Sequence, residues 1–153
     1  MPRFVFQPPA HPRAPAGATL VELVMALALM ALLSAIVAPR VGALLDAARV
    51  RGAATELSVA FGAARELALL RGGLTAVTID SVAGTVSVHD GADSTHVRRL
   101  RALFGVSLHP TRDSLAYAAN GLGHGAANLR VVVSRGAARE TVTVSRLGRV
   151  RRR

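Results

Sequence analysis

The chain has 153 residues, which suits one domain with an anchor or a tail. With no Cys, disulfides and thiolate metal sites are excluded, and a hydrophobic share of 51% with one Tyr, four Phe and no Trp comes from Ala, Leu and Val, so any core has small side chains and buries a modest area per residue. The net charge of +10, carried by Arg with no Lys, favours contact with nucleic acid, anionic lipid or acidic surfaces, although Arg alongside so much Ala and Gly also fits a GC-rich coding bias.

Residues 1–17 read MPRFVFQPPAHPRAPAG. Pro2, Pro8, Pro9, Pro12 and Pro15 exclude a stable helix. Arg3 and Arg13 put positive charge ahead of a hydrophobic run, which holds that end in the cytoplasm. The run is residues 18–39, and from Leu23 to Ala38 its one polar residue is Ser34. Counted from Thr19 to Ala38, it reaches the roughly 20 residues that a helix needs to span a bilayer. Glu22 stands at its front, and a carboxylate within a membrane segment costs about 2.5–3.5 kcal/mol, which marks it as a functional candidate.

Gly17-Ala18-Thr19-Leu20-Val21-Glu22, followed by that apolar run, resembles the class III signal of type IV pilins and type II secretion pseudopilins. The resemblance implies that a membrane prepilin peptidase cuts between Gly17 and Ala18 and methylates Ala18. It places Glu22 fifth in the mature chain, at the family's acid, and Pro39 twenty-second, at its helix-bending proline. The family usually has Phe or Met where this chain has Ala18. Glu22 would pair with the mature N-terminus of a neighbouring subunit and fix the register of assembly. Two other readings are an ordinary secretory signal, with Arg3 and Arg13 ahead of an apolar stretch from Leu23 to Val37, and a plain single-span anchor. Neither explains Glu22, and no clean A-x-A site follows the run.

After Pro39 helical periodicity continues. Val41, Leu44, Leu45 and Ala48 form one stripe, and Leu57, Phe61, Ala64 and Ala68 extend it. Gly72-Gly73 stops a helix of roughly fifty residues after Arg71. Residues 40–72 are then the periplasmic half of that helix, and 73–153 a β-rich ectodomain with a basic tail.

Beyond Gly73 the period becomes two. Residues 74–80 and 85–89 predict a hairpin around Ala83-Gly84. Thr95 to Arg101 reads as a charged loop, with short strands at 106–108 and 115–117. Residues 129–134 and 140–145 predict a second hairpin, closed by 135–139. The fold class is α+β, pilin-like: a long N-terminal helix packed on a small antiparallel β-sheet. The element order, with Arg71-Gly72 and Gly148-Arg149-Val150, looks like the GspH/FimT-type branch of minor pseudopilins and minor pilins.

Arg146, Arg149, Arg151, Arg152 and Arg153 crowd the last eight residues. Gly148-Arg149-Val150-Arg151 has the Gly-Arg-x-Arg form through which some FimT-like minor pilins bind DNA, so this tail is a DNA-binding candidate by resemblance. The planar Arg fork suits phosphate. The bland alternative is a solvated basic tail touching lipid headgroups or an acidic neighbour. Arg98, Arg99 and Arg101 are a candidate second patch. No aromatic residue lies in the tail to stack bases. Gly121-x-Gly123-x-Gly125 lacks nucleotide-loop spacing and reads as a loop. His89, His96, His109 and His124 lack metal-ligand spacing. Asp90 to Ser94 reads as a turn. Nothing points to an enzyme or a cofactor.

The reading is a GspH-type minor pseudopilin of a type II secretion system, single-pass in the bacterial inner membrane, with its C-terminal domain in the periplasm. Its partners would be the prepilin peptidase, other pilins or pseudopilins in a filament, and inner-membrane lipid. The alternative is a FimT-type minor type IV pilin that takes up DNA. A third is a periplasmic binding module released by ordinary signal peptidase.

Overall fold

The structure, a computed structural model, describes residues 17–91, 93–125 and 128–153. The leader expected over 1–17 therefore lies outside the described residues except for Gly17, and the Asp90–Ser94 turn is described only in part.

Helix α1 (Leu20–Arg71) has 52 residues, close to the length the periodicity predicts. Thr19 caps it: its hydroxyl accepts the Glu22 amide N–H at 3.2 Å, satisfying one of the first-turn donors that have no helical acceptor. At the other end Gly72, at φ 63°, takes the left-handed conformation that closes helices without a Cβ penalty.

The chain divides into two compact units, Met1–Ala38 and Pro39–Arg153. In the first, every described residue is exposed, the apolar side chains of α1 included. This stretch is long and apolar enough to cross a membrane.

In the second unit, α1 buries Val50, Ala53, Ala54, Leu57, Ala60, Phe61, Ala64 and Ala68. This i, i+3, i+4 stripe begins later than expected. Val41, Leu44, Leu45 and Ala48 are exposed, because before Val50 the strands packed on α1 cover Asp46 and Ala47 in part and bury no side chain fully.

The expected hairpin is β1 (Thr75–Asp80) with β2 (Thr85–Asp90). The region expected to loop is instead β3 (Asp93–Arg99), which pairs with β2 and runs directly into helix α2 (Leu100–Phe104). Its Arg-rich half resembles solvated loop in composition, yet at a sheet edge polar side chains stay in water while the backbone pairs. β4 (Ser107–Pro110) and β5 (Ser114–Tyr117) fall near the predicted short strands. β6 (Gly123–His124) lies where a loop was expected, pairing with β5. The second hairpin is β7 (Leu129–Arg135) and β8 (Ala138–Val144). Its turn is shorter than expected, two residues, with Gly136 at φ 54° as a tight hairpin requires. A final strand, β9 (Val150–Arg152), pairs with β8 where a tail was expected.

The fold is α+β, as expected, but the strands make two antiparallel sheets rather than one. Sheet A has the order β3-β2-β1-β5-β6, and sheet B the order β4-β7-β8-β9. Strands β4 and β5 are neighbours in sequence yet enter different sheets, by pairing with β7 and β1 respectively. Those partners are distant along the chain, so no hairpin signal announces them. Both sheets and α1 share one core, in which Tyr117 and Phe61 are the largest fully buried side chains.

Candidate functional site: a helix terminus and a basic sheet face

Gly17 and Ala18 are exposed, in non-helical chain immediately before the cap Thr19. Glu22 is exposed at the third helical position. A carboxylate there also complements the helix dipole. Thr19-Leu20-Val21-Glu22 has the form of a capping box, which gives Glu22 a local structural use as well. Pro39 lies inside α1.

The basic tail is a strand. In antiparallel register Thr143 lies between Arg130 on β7 and Arg151 on β9. The burial pattern turns Val131, Val133, Val142 and Val144 inward. Alternation then sends Arg130, Arg139 and Arg151 outward. Arg149 and Arg153 share that face, since they pair with Ser145 and Thr141 one step beyond each end of β9. The outward positions of the four strands hold no acid: Ser107, His109, Arg130, Val132, Ser134, Arg139, Thr141, Thr143 and Arg151. Among the described residues no carboxylate pairs with Arg130, Arg139, Arg149 or Arg151. Successive outward Arg residues along β9 repeat about every 6.7 Å.

The five tail Arg residues therefore divide. Arg149, Arg151 and Arg153 lie on this face. Arg152 points the other way, donating Nε–H to Glu140 Oε1 at 2.7 Å and Nη1–H to Thr55 Oγ1 at 2.9 Å, so it ties β9 to β8 and α1. Arg146 is exposed, and its amide N–H donates to Asn128 Oδ1 at 3.2 Å. Arg130 and Arg139 join the face although the sequence reading omitted them. Carrying the period-two alternation through the second hairpin and the tail together would have found them.

Gly148, buried at φ 71°, is required by the turn that starts β9. A Cβ there would meet Gly121 O at 2.7 Å and Arg65 Nε at 3.0 Å. Its amide N–H donates to Ser145 O, and Arg149 O accepts from Ser145 N–H. The glycine of Gly148-Arg149-Val150-Arg151 thus has a backbone reason independent of any ligand.

The other candidates disperse. Arg98 pairs with Glu56 at 3.4 Å and Arg101 donates to the Ser81 carbonyl at 3.2 Å, so of the expected second patch Arg99 and Arg101 are exposed and, among the described residues, without an acid. Gly121 is buried beside Leu69 and Arg65, and Gly123 is part of β6. His89 faces Ser87 Oγ at 2.9 Å, and among the described residues no group of three or more His, Cys, Asp or Glu is placed to hold a metal. Burial pushes the Tyr117 phenol up to about 12, with Arg65 pulling weakly the other way, and its hydroxyl has no partner among the described residues.

No family model matches the chain, and no curated protein matches it in sequence. Its fold is nevertheless similar to solved structures. The type IV minor pilin FimU of Pseudomonas aeruginosa matches with a TM-score of 0.57 at 16% identity, over 67% of this chain and 86% of that one. A second crystal form of FimU gives 0.57 over 67% and 91%. The minor pseudopilin EpsH of the Type 2 Secretion System of Vibrio cholerae matches with a TM-score of 0.54 at 16% identity, over 71% of this chain and 96% of that one. The chain has the pilin-like fold, shared by minor pilins and minor pseudopilins.

Proposed function

We propose that this protein is a minor subunit of a pilin-like filament, anchored in the inner membrane by the first part of α1, and specifically a GspH-type pseudopilin of a type II secretion system. The observation that carries this reading is the exposed apolar stretch of α1 headed by Glu22, five residues past Gly17. So much apolar surface is costly in water and needs a bilayer or other helices around it. The fold likeness to EpsH and FimU supports the same role. On this reading prepilin peptidase cuts between Gly17 and Ala18 and methylates Ala18. Glu22 then pairs with the amino terminus of the next subunit as helices pack.

Two measurements test it. Mass spectrometry of the mature protein from membranes should find Ala18 as the first residue. A start near Pro39 would instead mean an ordinary secreted protein. Glu22→Ala should leave cleavage intact but lower cross-linking into filaments. Normal incorporation of that variant would remove the pairing role.

A second reading, a FimT-type minor pilin that binds DNA, is favoured by one observation: the acid-free outer face of sheet B, with Arg130, Arg139, Arg149, Arg151 and Arg153. The two readings part on whether duplex DNA stays bound near physiological salt.

A further inference from the structure

Strand β9 has an open edge whose hydrogen-bonding pattern follows from the ladder. Thr141 and Arg153 exchange both N–H···O bonds, at 2.7 and 3.0 Å, and Ser145 N–H donates to Arg149 O at 2.9 Å. Between them Val150 lies opposite Val144, Arg151 opposite Thr143 and Arg152 opposite Val142. Bonded and non-bonded pairs alternate in an antiparallel ladder, so Arg149, Arg151 and Arg153 turn their backbone toward β8. Val150 and Arg152 therefore turn N–H and C=O away from it, and among the described residues nothing bonds to those groups.

This edge faces a groove of about 540 Å³. Its other wall is α1, through Ser58, Gly62, Glu66 and Leu69. Gly62 leaves room there: a Cβ on it would touch nothing within 4 Å. Arg65, Arg149 and Arg151 also line the groove, against one acid, Glu66. An added strand lies about 4.8 Å from β9, which puts it over Ser58 and Gly62.

Open edges are usually protected against self-pairing by brevity and charge. β9 has both, with three residues of which two are Arg. The same charge that repels a second copy of β9 attracts an acidic strand. We propose that β9 and this groove receive an extended acidic segment of a partner protein, which adds to sheet B as a fifth strand. Main-chain bonds to Val150 and Arg152 give the affinity. Alternation gives the specificity: acidic side chains lie beside Arg149 and Arg151, and small apolar ones turn inward beside Val150 and over Gly62.

The test uses the full chain in detergent micelles and a fluorescent peptide of alternating Glu and Val. Two further peptides carry N-methyl groups, on the Glu amides or on the Val amides, because alternate amides point to opposite sides of a strand. Binding to one methylated peptide should fall about tenfold, while the other binds like the parent. Val150→Pro removes an edge donor without touching the β8 ladder and should weaken binding about tenfold. Gly62→Leu fills the groove while improving helix propensity, so it folds and should also lose the peptide. Equal binding of both methylated peptides would mean attraction by charge alone and would overturn the proposal. So would full-strength binding to Gly62→Leu, or binding lost only on Arg130→Ala/Arg139→Ala, which would place any polyanion, DNA included, on the sheet face.

Discussion

Arg135 engages three oxygens from two other elements. Its Nε–H donates to Asp46 Oδ1 of α1 at 2.6 Å, and its Nη1–H to Phe104 O and Gly105 O, which end α2, at 3.1 and 2.8 Å. Arg135→Ala leaves a half-buried carboxylate and two carbonyls without these donors, and should lower stability by about 1–3 kcal/mol in denaturant unfolding of the full chain in micelles. Arg135→Lys should recover less than half of that loss, since an ammonium cannot reproduce the planar fork. Tyr117 offers a pH test. Its phenol is pushed up to about 12 by burial, against 10.0 for a free tyrosine. Below pH 10 it is neutral in both states and its contribution is whole. Between about pH 10 and 12 the unfolded chain releases the proton and the folded chain keeps it, so stability falls as pH rises, by roughly 2–3 kcal/mol. The chain has no Lys, no Cys and no other Tyr, so no second side chain titrates in that window. Tyr117→Phe should abolish the alkaline decline yet change stability at pH 7 by less than about 1 kcal/mol, because the hydroxyl has no partner among the described residues. An unchanged alkaline decline in the variant would show that another process drives it.

β9 exists because of the turn before it. Gly148 combines a left-handed backbone with a contact that no Cβ can share, whereas Gly72 has the left-handed backbone in open space. Gly148→Ala should therefore cost about 2–4 kcal/mol and Gly72→Ala about 1 kcal/mol, read from unfolding midpoints. Equal costs would mean that the chain around Gly121 gives way. The same element marks where the sequence stops being readable. α1, both hairpins and the α+β class follow from local periodicity and from glycines at helix and hairpin ends, signals that act within a few residues. β9 has only the glycine of its turn, Gly148, and no period-two alternation of apolar residues. Its Arg-rich composition looks like a tail, and only its pairing with Val142 to Val144 makes it a strand. β3 resembles a charged loop for the same reason. The division into two sheets depends on β1 meeting β5 and β4 meeting β7, and neither meeting is written in adjacent residues. At the helix terminus, Glu22 stood out in the sequence because a charge breaks an apolar run. Its place three residues after a capping Thr19 was equally legible, and supplies the local role that the apolar pattern alone does not suggest.

The charge of the molecule becomes informative once it is distributed over the fold. With Arg3, Arg13 and Glu22 set aside, 17 Arg stand against 8 acids from Arg40 to Arg153, an excess of +9. A protein this basic binds duplex DNA at low salt through counterion release, whatever its function, so binding alone decides nothing. Position decides. Arg98, Arg135 and Arg152 are engaged with carboxylates, whereas Arg130, Arg139, Arg149 and Arg151 share an acid-free sheet face. If that face holds DNA, the double variants Arg149→Ala/Arg151→Ala and Arg130→Ala/Arg139→Ala should each reduce the slope of log K against log salt by about 2, one counterion per lost phosphate contact. Arg98→Ala/Arg101→Ala removes the same formal charge from sheet A and its following helix and should leave the slope nearly unchanged. Affinity should not depend on base sequence or favour single strands, because the outward positions offer no Phe, Tyr or Trp ring and a single imidazole, that of His109. The measurement is a salt titration of DNA binding by the full chain in neutral detergent. Three pairs with equal effects would mean that net charge, not the sheet face, attracts DNA. Together with loss of binding near physiological salt, that result would leave the secretion pseudopilin as the reading with support. A slope that responds to the two sheet-B pairs alone would make the face a built polyanion surface, because equal charges would then have unequal consequences set by the strand register.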